Sequence, residues 1–98
     1  MSRKILLSEA AKADLASIGR YTQEMWGVKK RDLYLKKIFQ CFNQLVLSPL
    51  SGKLRPELYK GIRSICVEKH VVYYFHTSKA IQIVAILHEK MEPNNRLI

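Results

Sequence analysis

The 98-residue sequence is poor in cysteine, proline, glycine and acid: two Cys, three Pro, four Gly and eight Asp or Glu. With two cysteines and no Cys-x-x-Cys pair, a disulfide-stapled scaffold or a zinc ribbon is excluded. The glycines, Gly19, Gly27, Gly52 and Gly61, are scattered, so there is no glycine-rich phosphate loop, and no His-x-x-x-His spacing offers a metal site. We therefore expect no cofactor and no metal. The scarcity of Pro and Gly beside 48% apolar residues excludes a disordered or fibrous chain. No apolar run approaches the roughly 18 residues of a membrane span, and Ile5-Leu6-Leu7 is too short for a signal peptide's apolar region. The expectation is a cytoplasmic protein with no membrane partner.

What the chain does have is positive charge. Seventeen Lys and Arg against eight carboxylates give +9, shared between the halves: nine cations face four acids before residue 50, and eight face four after it. The charge belongs to the whole domain rather than to a tail, and it attracts polyanions or acidic proteins. A chain of this length builds one core, so a two-domain enzyme is excluded and residues 1–98 are read as a single domain.

Hydrophobic periodicity then orders the elements. Residues 1–7 carry a short strand. Ser8 is the expected N-cap of a helix running to Trp26, with Ala11, Leu15, Ile18 and Met25 on one side and Gly27 as its stop. Leu35, Ile38, Phe42 and Leu45 predict a second helix ending at Ser48-Pro49, so 8–49 reads as a helical hairpin with a two- or three-residue turn. Residues 50–61 read as a loop, and 62–88 as a three-strand meander rich in β-branched and aromatic residues. The last strand, Ile81 to Leu87, is apolar at nearly every position and should be central or covered on both faces. Residues 89–98 read as a turn-rich tail, mobile or awaiting a partner. The fold class is α+β, order β-α-α-β-β-β, a helical hairpin packed on a small, mostly antiparallel sheet.

No residue set announces catalysis. Cys41 and Cys66 both lie in apolar segments and are expected to be buried and inert. Asp14, Glu24 and Asp32 sit among lysines on helix faces, where solvated ion pairs are the ordinary reading. Lys29, Lys30, Arg31, Lys36 and Lys37 form a charged helix face with none of the base-reading pattern of a recognition helix, so no sequence-specific nucleic-acid binding is expected. The basic residues around the strand ends, Lys53, Arg55, Lys60, Arg63, His70, His88 and Lys90, read either as solvated strand termini or as one cationic rim of the sheet that holds a phosphodiester.

With this order established, the chain resembles the ParE toxins of bacterial type II toxin–antitoxin modules, within the RelE/ParE superfamily. The ordered set that carries the likeness is Ser8 to Ile18, Tyr21 with Trp26-Gly27, Leu45 to Pro49, Gly52 to Arg55, Tyr59 to Arg63, His70 to Phe75, and above all Ile83 to Pro93, with its Leu87-His88 followed by Lys90, Met91, Glu92 and Pro93. The resemblance implies a non-enzymatic toxin that poisons DNA gyrase and is neutralised by a ParD-like antitoxin with an acidic toxin-binding segment. On that likeness Arg55, Lys60, Arg63, His88, Lys90, Met91, Pro93 and Arg96 are the candidate gyrase-facing residues. Trp26, Tyr34 and Phe75 are the candidate antitoxin-facing ones. Two alternatives remain open: a RelE-like ribosome-dependent mRNA endoribonuclease, and an inactive toxin that only binds antitoxin. Against the ribonuclease, the arginine that RelE-like chains carry in the second strand falls at or near Ile65, and no tyrosine follows Met91.

Overall fold

A computed structural model describes residues 3–95 and 97. The elements are β1 (Lys4–Leu7), α1 (Glu9–Trp26), α2 (Val28–Leu47), β2 (Lys53–Leu54), β3 (Arg63–Val67), β4 (His70–His76) and β5 (Ala80–His88), with 3-10 turns at Pro49–Ser51 and Pro93–Asn95. They form an open five-stranded sheet in the order β1-β5-β4-β3-β2. β1 runs parallel to β5 and every other pair is antiparallel. The α+β architecture is as expected, with one addition: the stretch expected to be all loop contributes β2, which pairs Lys53 with Ser64 and Leu54 with Arg63. Two residues are too few to leave a period-2 signature in the sequence.

Local chemistry fixes the joints. Ser8 ends β1 and caps α1: its hydroxyl accepts the Ala11 N–H at 3.0 Å and donates to the Val84 carbonyl at 2.9 Å. Gly27 alone separates the helices, at φ 91° and ψ 175°, a conformation closed to residues with a Cβ. The joint is therefore one residue, shorter than the two or three expected. It stops α1 by donating its N–H to Gln23 and starts α2 by accepting the Arg31 N–H.

Both faces of the sheet are covered. Ile18, Ile38, Phe42 and Leu45 of the helices pack on Val72, Tyr74, Ile81, Ile83 and Ile86. On the reverse face Ile62, Tyr73, Ala85 and Leu87 cluster with Phe75 and pack against Leu58 and Leu97. This two-sided cover explains the apolar β5, which sits between β1 and β4. A bulge adjusts its facing: Tyr73 pairs with Ala85 and Tyr74 with Ile83, so Val84 is the extra residue and joins Ala85 in the reverse-face cluster.

Asp14 overturns its expected role as a solvated helix acid. β1 ends at Leu7, leaving the outer edge of β5 open beyond Ile83, and α1 crosses there. Half-buried Asp14 accepts the Ile86 N–H at 2.9 Å, satisfying a strand amide that no neighbouring strand reaches. The tail, too, is engaged rather than loose in its described part. Met91 N–H bonds the His88 carbonyl, and Leu97 packs on the reverse face.

Candidate functional site

The basic residues divide into two groups at opposite ends of the sheet. At one end a strap from Lys53 to Ile62 crosses the reverse face. Arg55 is fixed within it: Nε donates to Glu57 Oε2 at 2.7 Å and Nη1 to Ser64 Oγ at 3.1 Å. The bond to Glu57 is the main cause raising the Arg55 pKa, with the Tyr73 hydroxyl adding to it, and the same bond lowers that of Glu57. Arg63 starts β3 and donates from Nη1 to the Gly52 carbonyl at 2.8 Å. Ser64 faces Tyr73 of the reverse-face cluster, whereas Arg63 faces Tyr74 of the helix-side core. Arg55 and Arg63 therefore address opposite faces. Lys60 is exposed on the strap.

At the other end, β5 leaves the sheet with His88 directly opposite His70, their rings edge-to-face at 5.4 Å. Tyr34 of α2 reaches the same corner, its hydroxyl 2.6 Å from His70 Nδ1. His70 is half-buried, and burial, reinforced by the neighbouring His88, lowers its pKa. Burial likewise raises that of Tyr34. Asp14, Ile18, Tyr21, His70, His88 and Met91 line a groove of about 390 Å³ between α1 and this end of the sheet. Lys90 follows, exposed.

Four strand steps separate Arg63 from Val67, the partner of His70, which is about 13 Å at 3.3 Å per residue. Of the two readings of these residues, the single cationic rim is therefore not formed. Consecutive antiparallel strands begin at opposite ends of a sheet, so Arg63 at the start of β3 and His70 at the start of β4 are placed far apart. Of the remaining candidates, Pro93 is half-buried in a 3-10 turn and Met91 is exposed, while Arg96 lies outside the described residues.

The three aromatics grouped for antitoxin contact occupy three places. Trp26 is 59% exposed at the hairpin tip, edge-to-face with Tyr21. Tyr34 is half-buried in the histidine corner. Phe75 lies on the reverse face beneath Tyr59, rings 5.8 Å apart. Sequence reasoning missed the partners that make the tip an apolar patch: Tyr21, Met25 and Val28 are each about half exposed around Trp26. The signal was available, since Met25 and Val28 flank the chain reversal that must project from the body of the hairpin.

The cysteines differ from expectation in one case. Cys41 is buried, and burial pushes its thiol up to about 11. Cys66 is exposed, because strand alternation turns it to the reverse face next to the sheet edge that two-residue β2 leaves bare. Among the described residues, no group of three or more His, Cys, Asp or Glu is placed to hold a metal, and no helix is long and apolar enough to cross a membrane.

Comparison with known proteins identifies the family. Residues 5–93 match the family model described as ParE toxin of type II toxin-antitoxin system, parDE. The chain is 31% identical over 98 residues to Toxin ParE1 of Mycobacterium tuberculosis, covering 99% of this chain and all of the relative. It is 33% identical over 93 residues to Toxin ParE of Escherichia coli, covering 94% and 90%. A solved structure of the chromosomal ParDE TA system from P. aeruginosa has the same fold, with TM-score 0.75 and 23% identity over 88% of this chain and 95% of that one. The family-model match over residues 5–93, with relatives above 30% identity along nearly the whole chain, makes this chain a member of the ParE toxin family of type II toxin–antitoxin systems.

Proposed function

We propose that the chain arrests growth in the cytoplasm by binding DNA gyrase and trapping it on cleaved DNA, without catalysis of its own, and that a ParD-like antitoxin with an acidic segment neutralises it. The observation that carries the non-enzymatic part is the division of the basic residues. Cleavage of a phosphodiester needs cations and a proton-transfer group within bonding distance of one phosphate. Here Arg55 and Arg63 are held to internal acceptors on opposite faces, and the imidazoles stand about 13 Å away along the strands. Ile65, at or near the place of the RelE-like arginine, packs into the helix-side core. The net charge of +9 supports fast, salt-sensitive capture of an acidic partner.

The test is incubation of purified, antitoxin-free protein with gyrase, ATP and supercoiled plasmid, followed by detergent and protease. Linear and nicked DNA that disappears when antitoxin is added is the expected result. Intact plasmid with folded toxin refutes the gyrase reading, and codon-phased mRNA ends on translating ribosomes would replace it with the ribonuclease. Within the gyrase reading, Arg63→Ala combined with Lys90→Ala is expected to reduce cleavage; full toxicity of the folded double variant removes both residues from the contact set.

A further inference from the structure

The two ends of the sheet differ in charge. The segments that meet at the strap end, residues 3–4, 53–63 and 75–80, carry seven Lys or Arg against one carboxylate, Glu57, whereas Glu68, Glu89 and Glu92 follow β3 and β5 at the other end. Three of the strap-end cations form a fixed group: Arg3 Nε donates to the Thr77 carbonyl at 2.7 Å, and the Lys4 N–H donates to the Lys79 carbonyl at 2.9 Å. Lys4, Lys79 and, on the strap, Lys60 are exposed, and among the described residues no ion pair uses them. Between these flanks lies a stretch of sheet that the reverse-face cluster does not cover. Ile5, Ile81 and Ile83 belong to the helix-side core, so strand alternation turns Lys4, Leu6 and Gln82 to the reverse face. The register sets Leu6 beside Gln82 and Gln82 beside Phe75, and Tyr59 stands against Phe75 with ring centroids 5.8 Å apart. Leu6 is 50% and Tyr59 54% exposed, and Gln82 is exposed between them. The row crosses β1, β5 and β4, about 10 Å, and ends on the aromatic of the strap.

We propose that this row is a platform for single-stranded DNA, with the phosphates held by Arg3, Lys4 and Lys79 on one flank and Lys60 on the other, and with bases stacking on Tyr59 and lying over Leu6 and Gln82. The charge imbalance calls for a polyanion. The row selects its kind: a flat, partly apolar surface ending in a half-exposed ring complements the π-face of a base, which a carboxylate lacks. That face is free only when the base is out of a duplex stack, so a single strand fits and a double helix does not. Stacking tolerates every base, in keeping with the lack of a base-reading pattern in the sequence. The choice of DNA over RNA rests on the gyrase reading, which places cleaved DNA beside the toxin. The platform itself is a property of the free protein, and it shares only Lys60 with the candidate gyrase contacts.

The experiment is fluorescence anisotropy of a labelled oligothymidylate of about ten nucleotides, titrated with the full chain. No gyrase is present, so this proposal and the plasmid-cleavage reading fail separately. With about four cations on the phosphates, the binding constant should fall about fiftyfold between ~50 and ~200 mM salt, a logarithmic slope of about −3. Lys4→Gln combined with Lys79→Gln should make that slope shallower by about 1.4. Removing the same charge from the helix layer, by Lys29→Gln with Lys36→Gln, should leave the slope unchanged and the affinity within about twofold. Tyr59→Leu keeps an apolar cover over Phe75 but removes the stacking ring, and should weaken binding about fivefold or more, whereas Tyr59→Phe stays within about twofold. Urea midpoints establish that each variant is folded. Equal losses from the two lysine pairs, parental affinity in folded Tyr59→Leu, or displacement of the strand by polyglutamate as readily as by unlabelled oligothymidylate overturns the platform. Tighter binding of duplex DNA or of oligouridylate overturns the assignment to single-stranded DNA.

Discussion

Replacing Gly52 by alanine tests how the strap is held to the sheet. Gly52 has an ordinary extended backbone, φ −77° and ψ 152°, so no conformational rule demands glycine there. Space demands it: a Cβ would lie 2.5 Å from Tyr74 Oη, 2.7 Å from Cε1 and 2.9 Å from Cζ. Tyr74 is fully buried and cannot swing aside into solvent. Its hydroxyl accepts the Gly52 N–H at 2.9 Å and donates to the Pro49 carbonyl at 2.7 Å, and the Gly52 carbonyl holds Arg63. A methyl group at this position forces the phenol off both bonds. Overpacking costs about 1–3 kcal/mol and two net hydrogen bonds about 1 kcal/mol each, so Gly52→Ala should destabilise by about 3–5 kcal/mol. In a domain of this size that is a fall in Tm of roughly 12 °C or more. Urea unfolding, with the midpoint lowered and the slope unchanged, measures it. Tyr74→Phe alone should cost about 1–3 kcal/mol by orphaning the Gly52 N–H. Adding it to Gly52→Ala should cost less than the sum, because the closest clashing atom has gone. Additive costs, or a Gly52→Ala penalty below about 0.5 kcal/mol, the range of an ordinary surface change, would refute the packing argument.

Other consequences are open to measurement. Ser8→Ala removes both a helix cap and the tie to Val84 and should cost about 1–2 kcal/mol by urea denaturation; Ser8→Asp, which caps but cannot donate to a carbonyl, should recover only part. Native alkylation at mildly alkaline pH should place one adduct, on Cys66, with Cys41 modified only after unfolding, since its thiol is buried and raised to about 11; mass spectrometry of the two peptides decides it. Because burial lowers the His70 pKa, the unfolded chain takes up that proton first as pH falls. The His70 contribution to stability is therefore complete above the unfolded value of 6.5 and is lost as pH falls through the lower folded value. The pH slope of the unfolding free energy should flatten in His70→Asn. Asp14→Ala strands the Ile86 N–H and should destabilise by about 1–3 kcal/mol, whereas a solvated helix acid would cost almost nothing.

The parts legible in the sequence are those set by local chemistry. Ser8 before Glu9, Gly27 after Trp26 and Pro49 after Ser48 each mark a helix end within a residue, and the unbroken apolar run of β5 announced a strand covered twice. What escaped depends on partners distant in the chain. Asp14 looks like any acid among lysines until β5, 72 residues later, brings an unpaired amide to it. The basic residues around the strand ends seem to gather along one rim because sequence order carries no sign for strand direction; antiparallel pairing then sends Arg63 and His70 to opposite ends. The same holds for Cys66, whose exposure follows from the shortness of β2 rather than from its own apolar neighbours.

The parallel pairing of β1 with β5 joins residues 4–7 to residues 80–83, the first strand made to the last. Translation delivers the chain from its N-terminus, so β1 leaves the ribosome without its neighbour in the sheet and stays unpaired until residues 80–83 have emerged. Products cut short before residue 80 lack the strand that both β1 and β4 need. The sheet therefore closes in a single late step, the arrival of Ala80–His88, which supplies the partner of a strand made more than seventy residues earlier.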